Sequence, residues 1–543
     1  TGSEAEAEAD AEAEAEREAE RLSPEERSAR DEAENALRRY FRLDESLGAL
    51  VVAWSAADQR LGRVAAALPG LGLGRGVALR RGVGGTTSAR QLRGRRMTAN
   101  LSDLTSALLE AARRAGADSA DALAVSGTAL SIEIRKGALE QAERSEGIEI
   151  GLRVLMGRRQ ACVSASDTSA DTIRALAERA VAMAREAPED PHAGLADPSE
   201  LAKGWDLAAL DLADPAPEPG PEVLEASARA VEAAALVAKG ITQVEAAAAY
   251  SRRQLHLAAS NGFSGGYGRT STSLSAVAFT GQGTEMQRDY AGESRVRAAD
   301  LPEADGIGRL AAERTLQRVG SVKPRTGTFP VLYDERVASS LVGHLLSAIN
   351  GSSIARGSSW ARNLLGKPVL PPTLSLVEDP HRPRISSSRP FDGEGLETRR
   401  RAIVQDGVLT GWVLDLATGR KLGIPSTANA SRGTGAPPSP ATTNIDLTQG
   451  EVSRDDLLAQ MGTGLWVTSM IGSTINPTTG DYSRGASGFW VENGRISHPV
   501  HECTIAGNLR DMLLRIIPAN DARAHLSTRV PSLLVDGMTL AGA

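Results

Sequence analysis

The sequence predicts an α+β protein: an N-terminal α+β domain followed by a large antiparallel β-rich C-terminal domain with inserted helices. Three observations lead there. Period-two alternation at Ile132-Glu133-Ile134 and at Ile148, Ile150, Leu152 and Val154 lies between two stretches of helical period. A proline-rich run, 214–221, separates that part from the C-terminal remainder of the chain. Beyond Gln243, Asn261-Gly262, Asp406-Gly407 and Asn493-Gly494 supply turns that tolerate positive φ at both central positions, as two-residue hairpins need.

Residues 1–96 stand apart. They contain 16 Arg and no Lys, and the first methionine is Met97. Glu4 to Glu20 alternates Ala and Glu with no apolar face, and 61–96 is rich in Gly, Arg and Ala without a sustained period. A helix there would rest on local propensity alone, which is marginal in water. The segment is expected to be a low-complexity extension, disordered or helical, with folding beginning near Met97; an acidic interaction tail is the alternative. Its acidic start, with no apolar core, does not read as a secretory signal.

The N-terminal α+β domain is expected over 97–212. Leu101, Leu104, Leu108 and Ala112 share one helical face, and Gly116 is placed to end that helix. Antiparallel strands come next. Asp167-Thr168-Ser169 then opens a second helix with Ile173, Leu176, Ala180 and Ala184 as its stripe, closed by Pro188. Residues 213–240 read as a linker and a connecting helix that Gly240 stops. The β-rich domain is expected over 241–543, with helices near 307–318, 335–349 and 453–462. The last carries the capping-box pattern Ser453-x-x-Asp456. Pro425 to Pro440 reads as a long loop, either a flexible lip or filler.

Composition removes several classes of function. The formal net charge is −7, which gives no basic footprint for nucleic acid, and aromatic residues at 3% are too sparse for base-stacking platforms. No apolar run approaches the ~20 residues that span a bilayer. Cys162 and Cys503 are the only cysteines, too few for a disulfide framework, and a reduced, cytoplasmic location is expected.

Chemistry is hard to find in the residues themselves. No two of the seven histidines have the i, i+4 spacing of a helical zinc motif. His498-x-x-His501-Glu502-Cys503 is the best metal-like cluster. On a regular strand His501 and Cys503 share a face while His498 and His501 do not, so a third ligand would have to come from elsewhere. Cys503 beside His501 reads either as a thiol nucleophile or as a buried small apolar residue. Gly262-Phe263-Ser264-Gly265-Gly266 matches G-x-S-x-G. A nucleophile elbow needs a strand before the serine and a helix after it, whereas an Asn-Gly turn precedes Ser264 and more strand lies beyond it.

Longer motifs carry a resemblance. Met461-Gly462-Thr463-Gly464-Leu465-Trp466-Val467-Thr468, Gly480-Asp481-Tyr482-Ser483-Arg484-Gly485 through Gly494, and Thr504 to Leu509 resemble the C-terminal signature of the TldD/PmbA family, in its PmbA (TldE) branch. Arg135-Lys136-Gly137 through Glu149, and Leu341-Val342-Gly343-His344 leading to Gly366-Lys367, agree with it. The resemblance covers about Leu101 to Ala543. It implies a metallopeptidase assembly of TldD and TldE subunits acting on unfolded or leader peptides. The TldD-type partner would carry H-E-x-x-x-H, with two His and a downstream Cys on zinc and the Glu as general base.

This chain departs from that pattern. With His344 at the second His, Ser339 and Ser340 stand where the first His and the Glu belong, and Val530 to Val535 holds no cysteine. Zinc needs at least three protein ligands, and serine hydroxyls are poor ones. The resemblance therefore implies the metal-free subunit: no cofactor bound by this chain, zinc in a TldD-type partner, and a heterodimer or a homodimer. His344 reads as an ordinary helix histidine, with a vestigial or partner-facing role as the alternative. Asp481, Tyr482, Ser483 and Arg484 are expected to line a peptide channel or the dimer seam, or else to form a tight structural turn. A peptide-binding scaffold acting alone, and a self-sufficient peptidase built on His498, His501 and Cys503, are the other readings.

Overall fold

The computed structural model describes residues 100–542; the readings made for 1–96 lie outside the described residues. Helix α1 (Leu101–Arg114) starts where the Asn100 side chain accepts the Ser102 N–H, and it buries Leu104, Leu108, Ala111 and Ala112. It leads into β1 (Ser119–Arg135), β2 (Ala138–Met156) and β3 (Arg159–Ala165). Helix α2 (Ala170–Glu186) is capped by Ser169, as the Asp-Thr-Ser signal indicates.

The proline run then crosses to α3 (Pro221–Leu236), β4 (Ile241–Ala259), β5 (Ser264–Thr280), β6 (Gln287–Arg295) and α4 (Ala304–Leu316). The strands on both sides of the proline run belong to one antiparallel sheet, ordered β3-β2-β1-β4-β5-β6. β4 pairs along nearly the whole of β1, from Asp121↔Ala259 to Arg135↔Glu245. The division expected at residue 240 thus falls inside a sheet. Prolines there mark a surface crossing between two helix pairs, because a residue without an N–H is excluded from the ladder but not from a connection.

Burial along β1 shows how one sheet serves two helix pairs. Ala120, Ala122 and Ala124 pack under α1 and α2, while Leu130, Ile132 and Ile134 pack under α3 and α4. All six have even numbers and so lie on one face of the strand. From the opposite face Leu123 and Val125 join Leu257, Phe263 and Phe391, which ties the sheet to the C-terminal part.

The C-terminal part is built round β7 (Gly327–Tyr333), β8 (Gly464–Ile475), β9 (Asp481–Glu492), β10 (Arg495–Asn508) and β11 (Leu533–Ala541). They pair in the order β10-β9-β8-β7-β11, and β11 also pairs with β10, so the sheet closes on itself. Closure removes the exposed edges that an open sheet would offer. All of these pairings are antiparallel except β8 with β7. Helix α5 (Glu335–Ala348) comes after β7 and buries Ala338, Leu341, Val342 and Leu345. A short helix, α6 (Gly351–Arg356), is next. The capping box at Ser453 forms as its spacing indicates: Ser453 and Asp456 each accept the other's backbone N–H.

The Pro425–Pro440 stretch is neither a free lip nor filler. Asn429, Ala430 and Thr434 are buried, and the Arg432 guanidinium is 1% exposed, ion-paired to Asp121 of β1. A Cβ on Gly151 of β2 would lie 2.1 Å from the Thr434 carbonyl oxygen, so the strap rests directly on sheet backbone.

Candidate functional site

Residues 481–484 begin β9, and strand alternation divides them. Tyr482 is buried, with its hydroxyl 3.4 Å from that of Tyr333 and 3.5 Å from the Met470 sulfur. The Tyr333 hydroxyl also lies 3.3 Å from the Met538 sulfur. Burial raises the pKa of both phenols, so each keeps its proton. Arg484 donates from Nε to the Gly472 carbonyl at 2.7 Å across the β8–β9 hairpin. Asp481 is exposed, and its carboxylate accepts from Thr479 Oγ1 at 2.6 Å and Asn508 Nδ2 at 3.0 Å, which lowers its pKa. Ser483 is half-buried.

His344 joins this group from α5. Its ring meets Tyr482 edge to face, centroids 5.8 Å apart. Burial, and then the positive charge of Arg484, push the imidazole down to about 4, so it is neutral at physiological pH. Its Nε2 is buried without a hydrogen-bond partner among the described residues. The structure therefore brings Tyr482, Arg484 and His344 together and adds Tyr333, Met470 and Met538. Sequence reasoning missed those three because they come from strands far apart in the chain, and no local pattern marks them.

The remaining metal-like residues do not gather. β10 carries a bulge at 501–502: Ala486 pairs with Cys503 and Gly488 with Val500, so Ser487 alone faces two residues, and Glu502 has φ 51°. The extra residue breaks the alternation expected for a regular strand. Val500 and Cys503 both turn into the core, while His501 stays half-exposed beside Glu502. Cys503 donates its thiol to the Ala486 carbonyl at 3.2 Å, and burial raises its pKa to about 11. His498 Nδ1 lies 3.1 Å from Ser497 Oγ.

A zinc ion does not fit these residues. His344 stands alone on its helix, and the Ser340 hydroxyl is spent on the Val337 carbonyl at 2.7 Å. The positive charge of Arg484 already acts on the imidazole, which opposes a dication, and Cys503 holds the proton that a metal-bound thiolate must lose. Among the described residues no group of three or more His, Cys, Asp or Glu is arranged to hold a metal ion.

Ser264 opens β5, and strand rather than helix lies beyond it. Its Oγ lies 3.4 Å from His256 Nε2, and His256 Nδ1 lies 2.9 Å from Thr105 Oγ1. The Thr105 hydroxyl also reaches the Ser102 carbonyl at 3.0 Å. The contact lacks the carboxylate of a catalytic triad and the turn of a nucleophile elbow.

Sequence reasoning also missed a buried charge network between the first sheet and the C-terminal part. Asp121 pairs with Arg153 at 2.5 Å and with Arg432. Nearby, the Asp392 carboxylate accepts the N–H groups of Glu394, Leu396 and Ala430. Glu394 accepts the Leu416 N–H at 2.9 Å; burial, then the neighbouring Asp392 charge, raise its pKa to about 8.

Comparison with known proteins decides the family. Residues 120–184 match the PmbA/TldA metallopeptidase domain 1, 213–319 the central domain and 326–542 the C-terminal domain. Metalloprotease PmbA of Escherichia coli O157:H7 is 37% identical over 427 residues, covering 78% of this chain and 92% of that protein. The chain belongs to the PmbA/TldE family. A PmbA homologue from Haemophilus influenzae is 35% identical over 436 residues, covering 80% of this chain and 94% of that protein. Among solved structures, a proposed modulator of DNA gyrase from Bacteroides thetaiotaomicron superposes with a TM-score of 0.76 at 28% identity, covering 81% of this chain and 98% of that one. TldE from Thermococcus kodakarensis has the same fold, with a TM-score of 0.70 at 17% identity, covering 81% of this chain and 100% of that one. These relatives place the cluster of His344, Tyr482 and Arg484 inside the C-terminal domain of a PmbA/TldE protein. No helix of the described residues is long and apolar enough to cross a membrane.

Proposed function

We propose that this chain is the metal-free, TldE-type subunit of a cytoplasmic zinc peptidase complex. Zinc, the general base and bond cleavage belong to a TldD-type partner, and the substrates are unfolded or leader peptides. One observation carries the reading: on the helix where the partner would present H-E-x-x-x-H, only His344 remains, buried against Tyr482 and kept neutral by burial and then by the charge of Arg484. A site meant for a dication would not leave its one remaining donor within reach of a fixed positive charge. Asp481, Ser483 and Arg484 stand at the barrel end as channel or seam residues, while the buried Tyr482 supports them from the core. The test is metal analysis of the isolated chain together with peptide cleavage on mixing. The expected result is substoichiometric zinc alone and cleavage only after a metal-bearing TldD-type protein is added. One zinc per chain with unaided cleavage would overturn the proposal. With the dimer intact, unchanged turnover in Arg484→Ala would remove the channel role for that residue.

A further inference from the structure

Residues 336–377 contain no Asp or Glu, although the chain as a whole carries a net charge of −7. The same stretch holds Arg336, Arg356, Arg362 and Lys367. Arg336 is neutralised by Asp289 and Asp334, each at 3.0 Å. Arg356, Arg362 and Lys367 have no ion-pair partner among the described residues. Two of these unpaired cations line one open pocket of about 540 Å³. Arg356 ends helix α6; Arg362 folds back so that its Nη1 would lie 3.2 Å from a Cβ on Gly357, the next residue along. Both guanidinium-bearing chains thus belong to one rim, with Asn363 beside them. The rest of the lining is largely apolar, including Trp412, Leu365 and Leu422, and no carboxylate is part of it.

An open pocket with apolar side chains on one part of its lining and a doubly cationic, acid-free rim on the other matches one chemistry: a group with a hydrophobic body and a single anionic end. The volume falls within the ~300–1,000 Å³ usual for small-ligand sites. Guanidinium groups pair with planar carboxylates in bidentate geometry. The segment between Arg356 and Arg362 also touches the turn that leads into β9. The Trp360 N–H donates to the Pro477 carbonyl at 2.7 Å, and Gly480 packs on the Trp360 ring. Arg510 donates to the Trp360 carbonyl at 2.5 Å.

We propose that this pocket takes the C-terminal residue of a peptide, its carboxylate held between Arg356 and Arg362 and its apolar side chain resting on Trp412, Leu365 and Leu422. The inference rests on the reading above that peptides are the substrates, and it adds which end of the peptide this subunit holds.

The test uses the full chain and two fluorescent probes, dansyl-Ala-Ala-Leu with a free carboxylate and the same peptide as its C-terminal amide, followed by anisotropy. The free acid is expected to bind about tenfold tighter or more than the amide, the size of a charged hydrogen-bonded contact. The Arg356→Gln/Arg362→Gln double variant is expected to remove that difference. Both side chains are exposed, and an unchanged circular dichroism melt confirms that the variant is folded. Equal binding of acid and amide by the wild type, or no binding of either, overturns the proposal. So does displacement of the peptide by inorganic phosphate at concentrations where acetate has no effect, because the pocket would then be a phosphate site. Cleavage by the mixed complex is measured separately. A lost acid preference with cleavage intact sinks the pocket alone; a retained preference with no cleavage on mixing sinks the companion-subunit reading alone.

Discussion

The charge of Arg484 on β9 adds to burial in holding His344 on α5 neutral. The guanidinium and the buried surroundings together hold the imidazole neutral, at about 4 against an ordinary 6.5. A histidine depressed in the folded state binds fewer protons than the unfolded chain between those values. Its contribution to stability is therefore lost as pH falls from about 6.5 to about 4. Arg484→Gln removes the repulsion but not the burial. The His344 pKa is expected to rise while staying below 6.5, followed by the imidazole proton shifts in NMR. No movement would show that the two side chains do not interact.

The ion cluster on β1 makes an ordering prediction. Asp121 is the anion shared by Arg153 and Arg432, all three nearly inaccessible to water. Asp121→Asn leaves two buried guanidinium groups without their counter-charge and is expected to cost about 3–5 kcal/mol in urea unfolding. Arg432→Met removes one cation and fills its volume with an apolar side chain, leaving Asp121 paired with Arg153. It is expected to cost clearly less, and to expose residues 425–440 to protease. The reverse ranking would contradict the structure.

Glu394 gives the fold a second pH dependence, of opposite sign. Its pKa is raised to about 8 from an ordinary 4.5, so the folded state holds a proton that the unfolded chain releases between those values. The associated stability is present below about pH 4.5, falls as pH rises and levels off above about 8. Glu394→Gln keeps an acceptor for the Leu416 N–H and cannot ionise. Its Tm should exceed that of the wild type at pH 8 by a few degrees, with the gap closing towards pH 5. Parallel curves across that range would show that Glu394 is ionised in the fold.

Gly151 tests the contact between strap and sheet. A methyl group there would lie 2.1 Å from the Thr434 carbonyl, with backbone on both sides, so Gly151→Ala is expected to cost about 1–3 kcal/mol. Gly147 on the same strand has nothing within 4 Å of its would-be Cβ, and Gly147→Ala is expected to change stability by less than about 0.5 kcal/mol. Denaturant midpoints of the two variants compare them directly.

Period, capping and turn chemistry made the secondary elements legible. Leu101 to Ala112, the Ser169 and Ser453 caps and the Asn493-Gly494 hairpin all stand where the residues indicate, because those signals act within a few positions of each other. The bulge at Glu502 was not legible. It arises from how β10 must bend against β9, and it parts two residues that simple alternation puts together.

By itself the sequence determined the fold class, the family through its long glycine-rich motifs, and the loss of one expected metal ligand and the general base from one helix, with the cysteine ligand missing near the C-terminus. Only the tertiary structure decided that β1 unites both sides of the proline run, that His344 packs on Tyr482 within reach of the Arg484 charge, and that two unpaired arginines share one pocket. Local patterns record what the chain does over a few residues. Which charges meet is set by long-range packing, which joins positions hundreds of residues apart without leaving a periodic trace.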